Sequence, residues 1–387
     1  MIECSKYKLS ECCLSISDGD HLPPPKVDAG IPFITISDID SSNRLNLDVK
    51  QFVPEEYYNN LKDIRKAQRN DILYSVVGSF GIPVIIKGND KFAFQRHIAI
   101  LRPDPTKVIP DYLFYIMKTY NFYMQADSVA IGAAQRTISL TALRNMTVEL
   151  PSMDVQKKIA TTLSRYDSLI DNYQRQIKLL EEAAQRLYKE WFVKLRFPGH
   201  ENTKIVDGVP EEWEKKSIDS IYSIKYGKNL STKLINKSGE YPVYGANGII
   251  GYYSQANCEE QVALITSRGN GSGDVLMTYH TKAFITNNSF IVKPLERYKY
   301  CDLSFTFHFI LRANFRAVRT GAAQPQLTNQ SIHNVDVVLP SKEVIEKYCK
   351  IANPFFQEIK TFKHQLRLLA ESRDRLLPKL LSGEIEV

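Results

Sequence analysis

Two stretches of the chain carry the same spacing of apolar positions. In the first, Tyr166, Ile170, Tyr173, Ile177, Leu180, Ala184, Leu187 and Trp191 follow one another in alternating steps of four and three. In the second, Phe355, Ile359, Phe362, Leu366, Leu369, Arg373, Leu376 and Leu380 repeat those steps at an offset of 189 residues. Only Arg373 departs from the apolar character. Such steps make a heptad seam, and the polar residues between them leave each predicted helix one stripe to bury. The simplest partner for one stripe is its twin. Ile170, Ile177, Leu180 and Leu187 are expected to face Ile359, Leu366, Leu369 and Leu376 in an intramolecular coiled coil. Equivalent copies related by a pseudo-two-fold make that pair antiparallel. Ser164 and Asn353 suit an N-cap, and Pro354 suits the first helical position. Each copy is therefore expected to form a short helix, a restart and a long helix. Arg373 and Pro378 weaken the expected last turns of the second one.

Upstream of each helical stretch the period changes. Short apolar runs separated by Gly, Asn, Asp and Pro read as strands: "DILYSVVGSFG" at 71–81, "KFAFQRHIAILRP" at 91–103, "QVALITSRGNGSG" at 261–273 and "KAFITNNSFIVKP" at 282–294. These pair at an offset of 191, with Leu73/Leu264, Gly78/Gly269, Lys91/Lys282 and Pro103/Pro294 in register. Between strands and helix, "GAAQ" occurs twice. Residues 132–152 and 321–341 are identical at nine of 21 positions, ending in the shared Leu-Pro-Ser. The chain is thus two copies of one unit. If Gly19 and Gly227 correspond, 113 residues separate Gly19 from Gly132 and 94 separate Gly227 from Gly321, so the first copy carries insertions.

The fold expected is α+β, with two β-rich domains separated by two long antiparallel helices and related by a pseudo-two-fold repeat. The expected divisions are 1–151 for the first β-rich domain and 152–195 for the first helical segment. A Pro-, Gly- and charge-rich connector follows at 196–214. The second β-rich domain takes 215–340 and the second helical segment 341–387.

Composition changes this picture little. A length of 387 residues suits two or three domains. A net charge of +7 and a pI near 8.9 permit nucleic-acid binding without requiring it. The six cysteines have no CxxC spacing, which argues against structural zinc and a disulfide framework. No apolar run reaches membrane-spanning length, and the first 20 residues lack a signal-peptide core. A cytoplasmic, reduced protein is expected.

The sequence shows no recognisable catalytic constellation. "SRGNGSGDV" at 267–275 follows a strand-like run and has the glycines of a phosphate or methionine-cofactor loop. Its first-copy counterpart "VVGSFGIP" keeps only part of that pattern, and no helix pattern follows, so a hairpin or flexible loop is the better reading. There is no Asn-Pro-Pro-aromatic or Asp-Pro-Pro-aromatic motif. "LPPPK" at 22–26 lacks the flanking residues of one. The seven histidines are scattered. Glu214–Lys216 has no acidic partner that would complete a nuclease centre, and the Pro-Asp pairs at 103–104 and 110–111 are expected to mark turns.

What remains suits a binder. Arg, Lys, Asn and Gln sit in polar, Gly-containing loops, and their forked donors and amides match the edges of guanine and adenine. The candidates in the first copy are Ser79, Arg96, Gln135 and Arg136. Those in the second are Lys225, Lys228, Asn247, Arg268, Asn270, Arg316, Arg319 and Gln324. The GAAQ turn has two readings. Its small residues permit close approach to a partner, or it ties strand to helix in a shared scaffold.

Two β-rich units, each leading through GAAQ and Leu-Pro-Ser into a long helix, with the ending "RDRLLPKLLSGEIEV", resemble the specificity subunit of type I restriction–modification systems. The resemblance spans nearly the whole chain. It implies two target-recognition domains, each reading one half of a bipartite double-stranded DNA site. It implies a coiled-coil spacer that docks two modification (methyltransferase) subunits, with restriction subunits completing the complex. The resemblance further implies that this chain binds no cofactor, S-adenosylmethionine, ATP and Mg2+ being used by the partner subunits. Two other classes remain open: a DNA methyltransferase or nuclease with an unrecognised centre, and a protein-binding coiled-coil scaffold.

Overall fold

The computed structural model describes residues 3–20, 24–40, 43–133, 135–321, 325–333 and 335–386. It divides into two compact units, Met1–Asp171 with Leu368–Val387, and Asn172–Arg367.

The first unit is built on a four-stranded antiparallel sheet in the order Cys13–Asp18, Ile98–Pro103, Ile72–Ser75, Pro83–Ile85. Its central strands read as continuous apolar runs because both faces are covered. Side chains alternate across a strand. Ile72, Tyr74, Ala99 and Leu101 therefore enter one core with Tyr112, Leu113 and Leu163 from the helices. Leu73, Ile98 and Ile100 enter a second core with Ile34 and Phe94. That second core lies against a three-stranded sheet, Phe52–Val53, Ile31–Ile34 and Ala93–Phe94, the last pair parallel. Ser5–Lys8 pairs with Thr147–Leu150.

The second unit repeats this plan strand for strand. Its four-stranded sheet runs Tyr222–Tyr226, Ser289–Pro294, Ala263–Thr266, Val275–Met277. Its three-stranded sheet runs Gly248–Tyr253, Tyr241–Gly245, Phe284–Ile285, again with a parallel last pair. Glu214–Ser217 pairs with Asp336–Leu339. The length difference has a place: 38 positions separate Ile34 from Ile72, against 19 between the equivalent Tyr244 and Ala263. The extra chain in the first unit includes the helix Glu55–Asn60 and a turn of tighter helix at Asp63–Arg65.

Gly19 and Gly227 are equivalent. Gly19 N–H donates to Ile98 and Gly227 N–H to Ser289, which correspond at the offset of 191. At both glycines an added Cβ would strike backbone carbonyls of the parallel strand, Phe94 and Gln95 in one unit, Ile285 and Thr286 in the other.

The helical expectation needs correction in three respects. There is no restart: single helices span Met153–Tyr188 and Lys342–Ser382. Ser164 is an interior residue whose hydroxyl donates to Thr161 O, and Asn353 donates its amide to Asp302 Oδ2 at 2.6 Å. The second helix runs through Pro354 and Pro378. Packing outweighs the lost backbone bonds, since Ala352, Leu377 and Leu380 all lie in or against a core. Thirdly, Arg373 does not break the pairing. Within the first unit its guanidinium donates to Asp167 Oδ1 at 2.6 Å, and Asp167 also accepts from Tyr115 Oη at 2.6 Å. Burial, then the Asp167 charge, push the Tyr115 phenol well above its ordinary value.

The seam residues lie on the inward faces. Ile170, Ile177 and Ile359 are buried, while Leu180, Leu187, Leu366, Leu369 and Leu376 are half-buried. In the second unit Tyr173 stacks on Phe362 at 4.9 Å, and Tyr188 meets Tyr348 at 6.0 Å. Higher numbers in one helix meet lower numbers in the other, so the helices are antiparallel. The connector is not a bare linker: Ile205–Val206 and Val209–Pro210 form a hairpin, and Phe197 is buried beside Trp213 and Phe192. Of the two Pro-Asp pairs, Pro103–Asp104 ends a strand, while Pro110–Asp111 starts the helix Pro110–Met117, where proline's fixed φ fits.

Candidate nucleic-acid interface

The residues that flank each GAAQ segment are joined by two backbone bonds. Ile131 and Thr137 exchange N–H···O bonds at 2.9 and 2.8 Å; Thr320 and Gln326 do so at 2.9 Å each way. Gly132 and Gly321 have φ of +103° and +86°, a conformation that favours glycine. Each hairpin is then tied to the loop after the central strand. Gly78 N–H donates to Arg136 O at 2.9 Å and Gly269 N–H to Pro325 O at 3.0 Å; Ile138 donates to Val76 O and Leu327 to Ser267 O, both at 2.8 Å. The same loop is tied to a third element, the turn between the strands Ala93–Phe94 and Ile98–Pro103 or, in the second unit, Phe284–Ile285 and Ser289–Pro294. Val76 N–H donates to His97 O at 2.9 Å and Ser267 N–H to Asn288 O at 2.8 Å.

One end of each unit is therefore three loops locked by a common set of backbone bonds. The lock gathers exposed polar side chains at that end. The loop after the central strand differs in length. Gly81 N–H returns to Ser75 O across five residues, whereas Gly273 N–H returns to Thr266 O across six.

In the first unit the lock brings together Ser79, Arg96 and Gln135, all exposed. Arg136 is engaged internally. Its guanidinium donates to the Asp127 carboxylate and backbone carbonyl and lies 5.2 Å over Phe80, which stacks on Tyr123 at 5.8 Å. Here it clamps the hairpin. In the second unit Arg268, Asn270, Asn247 and Lys228 converge. Asn287 N–H donates to Lys228 O at 3.1 Å, and Gly271 approaches Asn247 Oδ1. Lys225 is exposed on the strand Tyr222–Tyr226 leading to Lys228. Arg268 makes no side-chain hydrogen bond or ion pair among the described residues. Arg319 donates to Arg316 O at 3.0 Å and Asn270 O at 3.5 Å, and Arg316 pairs with Asp274. These two arginines hold the Gly-rich loop rather than project from it. Gln324 lies outside the described residues.

Residues 95–97 correspond to 286–288, so Arg96 and His97 occupy the places of Asn287 and Asn288. Sequence reasoning named Arg96 but missed the asparagines, although the 191 offset applied to Arg96 lands on Asn287. Charge differs as well. The strand end that carries Lys225 and Lys228 corresponds to Ser17 and Asp20. Asp20 accepts from Arg65 Nη1 at 3.1 Å and Tyr57 Oη at 3.1 Å. Burial, then the bond to Asp20, push Tyr57 up to about 12. Among the described residues no group of His, Cys, Asp or Glu could hold a metal ion, and no helix is long and apolar enough to cross a membrane.

Comparison with known proteins agrees with this architecture. The type I restriction modification DNA specificity domain matches twice, at residues 13–182 and 210–369. The chain belongs to that family. It is 24% identical to the MjaIX type I restriction enzyme specificity subunit of Methanocaldococcus jannaschii, over 72% of this chain and 70% of that protein. It is 22% identical to the HindI type I restriction enzyme specificity subunit of Haemophilus influenzae, over 84% and 90%. The crystal structure of a type I restriction–modification system S subunit from M. genitalium shares the fold, with a TM-score of 0.63 at 20% identity, covering 98% of this chain and 96% of that one.

Proposed function

We propose that this chain is the DNA-reading subunit of a type I restriction–modification complex. Each β-rich unit reads one half of a bipartite, asymmetric double-stranded site, and the paired helices dock the methyltransferase subunits. Methyl transfer and ATP-driven restriction then belong to the partner subunits, which use S-adenosylmethionine, ATP and Mg2+. One observation carries the reading: an identical three-loop lock is built twice, with different polar side chains on it. A scaffold held constant beneath varied donors and acceptors suits two related ligands of different sequence. Phosphate contacts position such a subunit, and base edges specify it.

The test is to map methylated bases in a genome that carries this chain with its methyltransferase partner. A motif of two unlike short halves around an unread gap is expected. A single continuous short motif contradicts the reading. Methylation by the isolated chain, or S-adenosylmethionine bound to it, favours a methyltransferase instead.

A further inference from the structure

The backbone of the turn at residues 286–288 is hydrogen-bonded along its length. Thr286 donates from both N and Oγ1 to Tyr244 O at 3.0 Å. Asn287 N–H is taken by Lys228 O, and Asn287 O accepts from Ser267 Oγ at 3.1 Å. Asn288 O accepts from Ser267 N–H at 2.8 Å. The backbone is thus engaged, while the two side-chain amides are half-buried and have no partner among the described residues. Asn257 provides the contrast. Its amide donates to Ile285 O at 2.9 Å and accepts from Ile285 N–H at 2.7 Å, as a structural asparagine does.

Unpartnered amides on a fixed backbone are preorganised for an outside ligand, since binding them costs little ordering. A carboxamide offers an acceptor beside two donors. The major-groove edge of adenine offers N7 as acceptor beside N6–H as donor, which an asparagine can meet with two bonds. In the first unit the same turn carries Arg96, exposed and without a side-chain partner among the described residues. Its fork of donors matches the two acceptors of guanine, O6 and N7.

Building on the DNA-reading function above, we propose that this turn determines specificity in both units: Asn287 and Asn288 read adenine in one half-site, and Arg96 reads guanine in the other.

The test uses the complex assembled with its methyltransferase. Once the wild-type motif is mapped, Asn287→Ala, Asn288→Ala and Arg96→Ala are mapped in the same host. At least one asparagine variant relaxes a single adenine position in one half and leaves the other half unchanged. Arg96→Ala relaxes a guanine in the opposite half. Loss of discrimination by about five- to 150-fold is expected for a direct base contact. Where a variant fails to assemble, the wild-type complex is titrated with DNA carrying 7-deazaadenine at each adenine of that half-site in turn. One such replacement weakens binding at least about fivefold. The proposal is overturned if the half-site has no adenine, if both asparagine variants keep the wild-type motif, or if every 7-deazaadenine duplex binds unchanged. In those cases the bipartite motif still stands and only the turn's role is lost. Absence of a bipartite motif in the wild type overturns the DNA-reading function as well.

Discussion

At the loop end of the first unit the strand Cys13–Asp18 leads into Asp20. At the same place in the second unit Tyr222–Tyr226 leads into Lys228. The extra chain of the first unit supplies Arg65 and Tyr57 to Asp20, so its acidity is answered within the unit. In the second unit Lys225 and Lys228 stay exposed. The hairpins differ in the same spirit. A stack of Tyr123, Phe80 and Arg136 clamps the first, while Arg316, Arg319 and a Gly-rich loop hold the second. The backbone ties are common to both. What differs is which side chains are consumed holding the scaffold and which are left for a ligand.

The largest expected effect tests the common scaffold. Gly19→Ala and Gly227→Ala each force a methyl group into backbone carbonyls, and each should destabilise its unit by about 3 kcal/mol or more. Equal losses in urea melts would show that both units depend on the same close approach. Loss at only one site would break the equivalence.

A second effect separates the units. His308 is buried in the helix Leu303–Arg312, stacked on Tyr188, whereas the helix Pro110–Met117 of the first unit contains no histidine. Burial holds His308 down at about 4. The unfolded chain takes a proton near pH 6.5 that the folded chain refuses. Stability is therefore fully present above pH 6.5 and is lost as pH falls toward 4, by about 2 kcal/mol at pH 5. Urea melts at pH 7 and pH 5 should show that loss in the wild type, and a smaller one in His308→Gln. An equal loss in both proteins would assign the acid sensitivity elsewhere.

The smallest effect concerns charge. Lys225→Ala and Lys228→Ala should weaken binding to every DNA sequence alike. Each should also lower the slope of log affinity against log salt by about 0.9 where it meets a phosphate. A changed motif in either variant would make that lysine a base reader.

Much of this was legible in the sequence, for reasons that particular residues make plain. The heptad seam and the doubled GAAQ depend on spacing within a short stretch, and spacing is what a sequence displays. Arg373 looked like a fault in the seam because the acid that answers it, Asp167, lies 206 positions away. Pro354 looked like a helix start because local propensity favours it there, but burial of the flanking turns decided otherwise. Arg136 and Arg319 could not be told apart from Arg268 in the sequence, because residue type does not reveal whether a guanidinium also holds the fold. Asn287 and Asn288 were within reach, since the repeat offset points to them. Only the hydrogen-bond pattern separates their amides, unpartnered among the described residues, from the occupied amide of Asn257.

The central claim is that two units on one scaffold read two half-sites independently. Arg268 tests it most directly, because it is exposed, unpartnered among the described residues, and seated on the lock of the second unit alone. The methylated motif is to be mapped for Arg268→Ala beside the wild type. One position in one half is expected to become degenerate, at about 1–3 kcal/mol of lost discrimination, with the other half and the gap unchanged. Loosening of both halves together would contradict it.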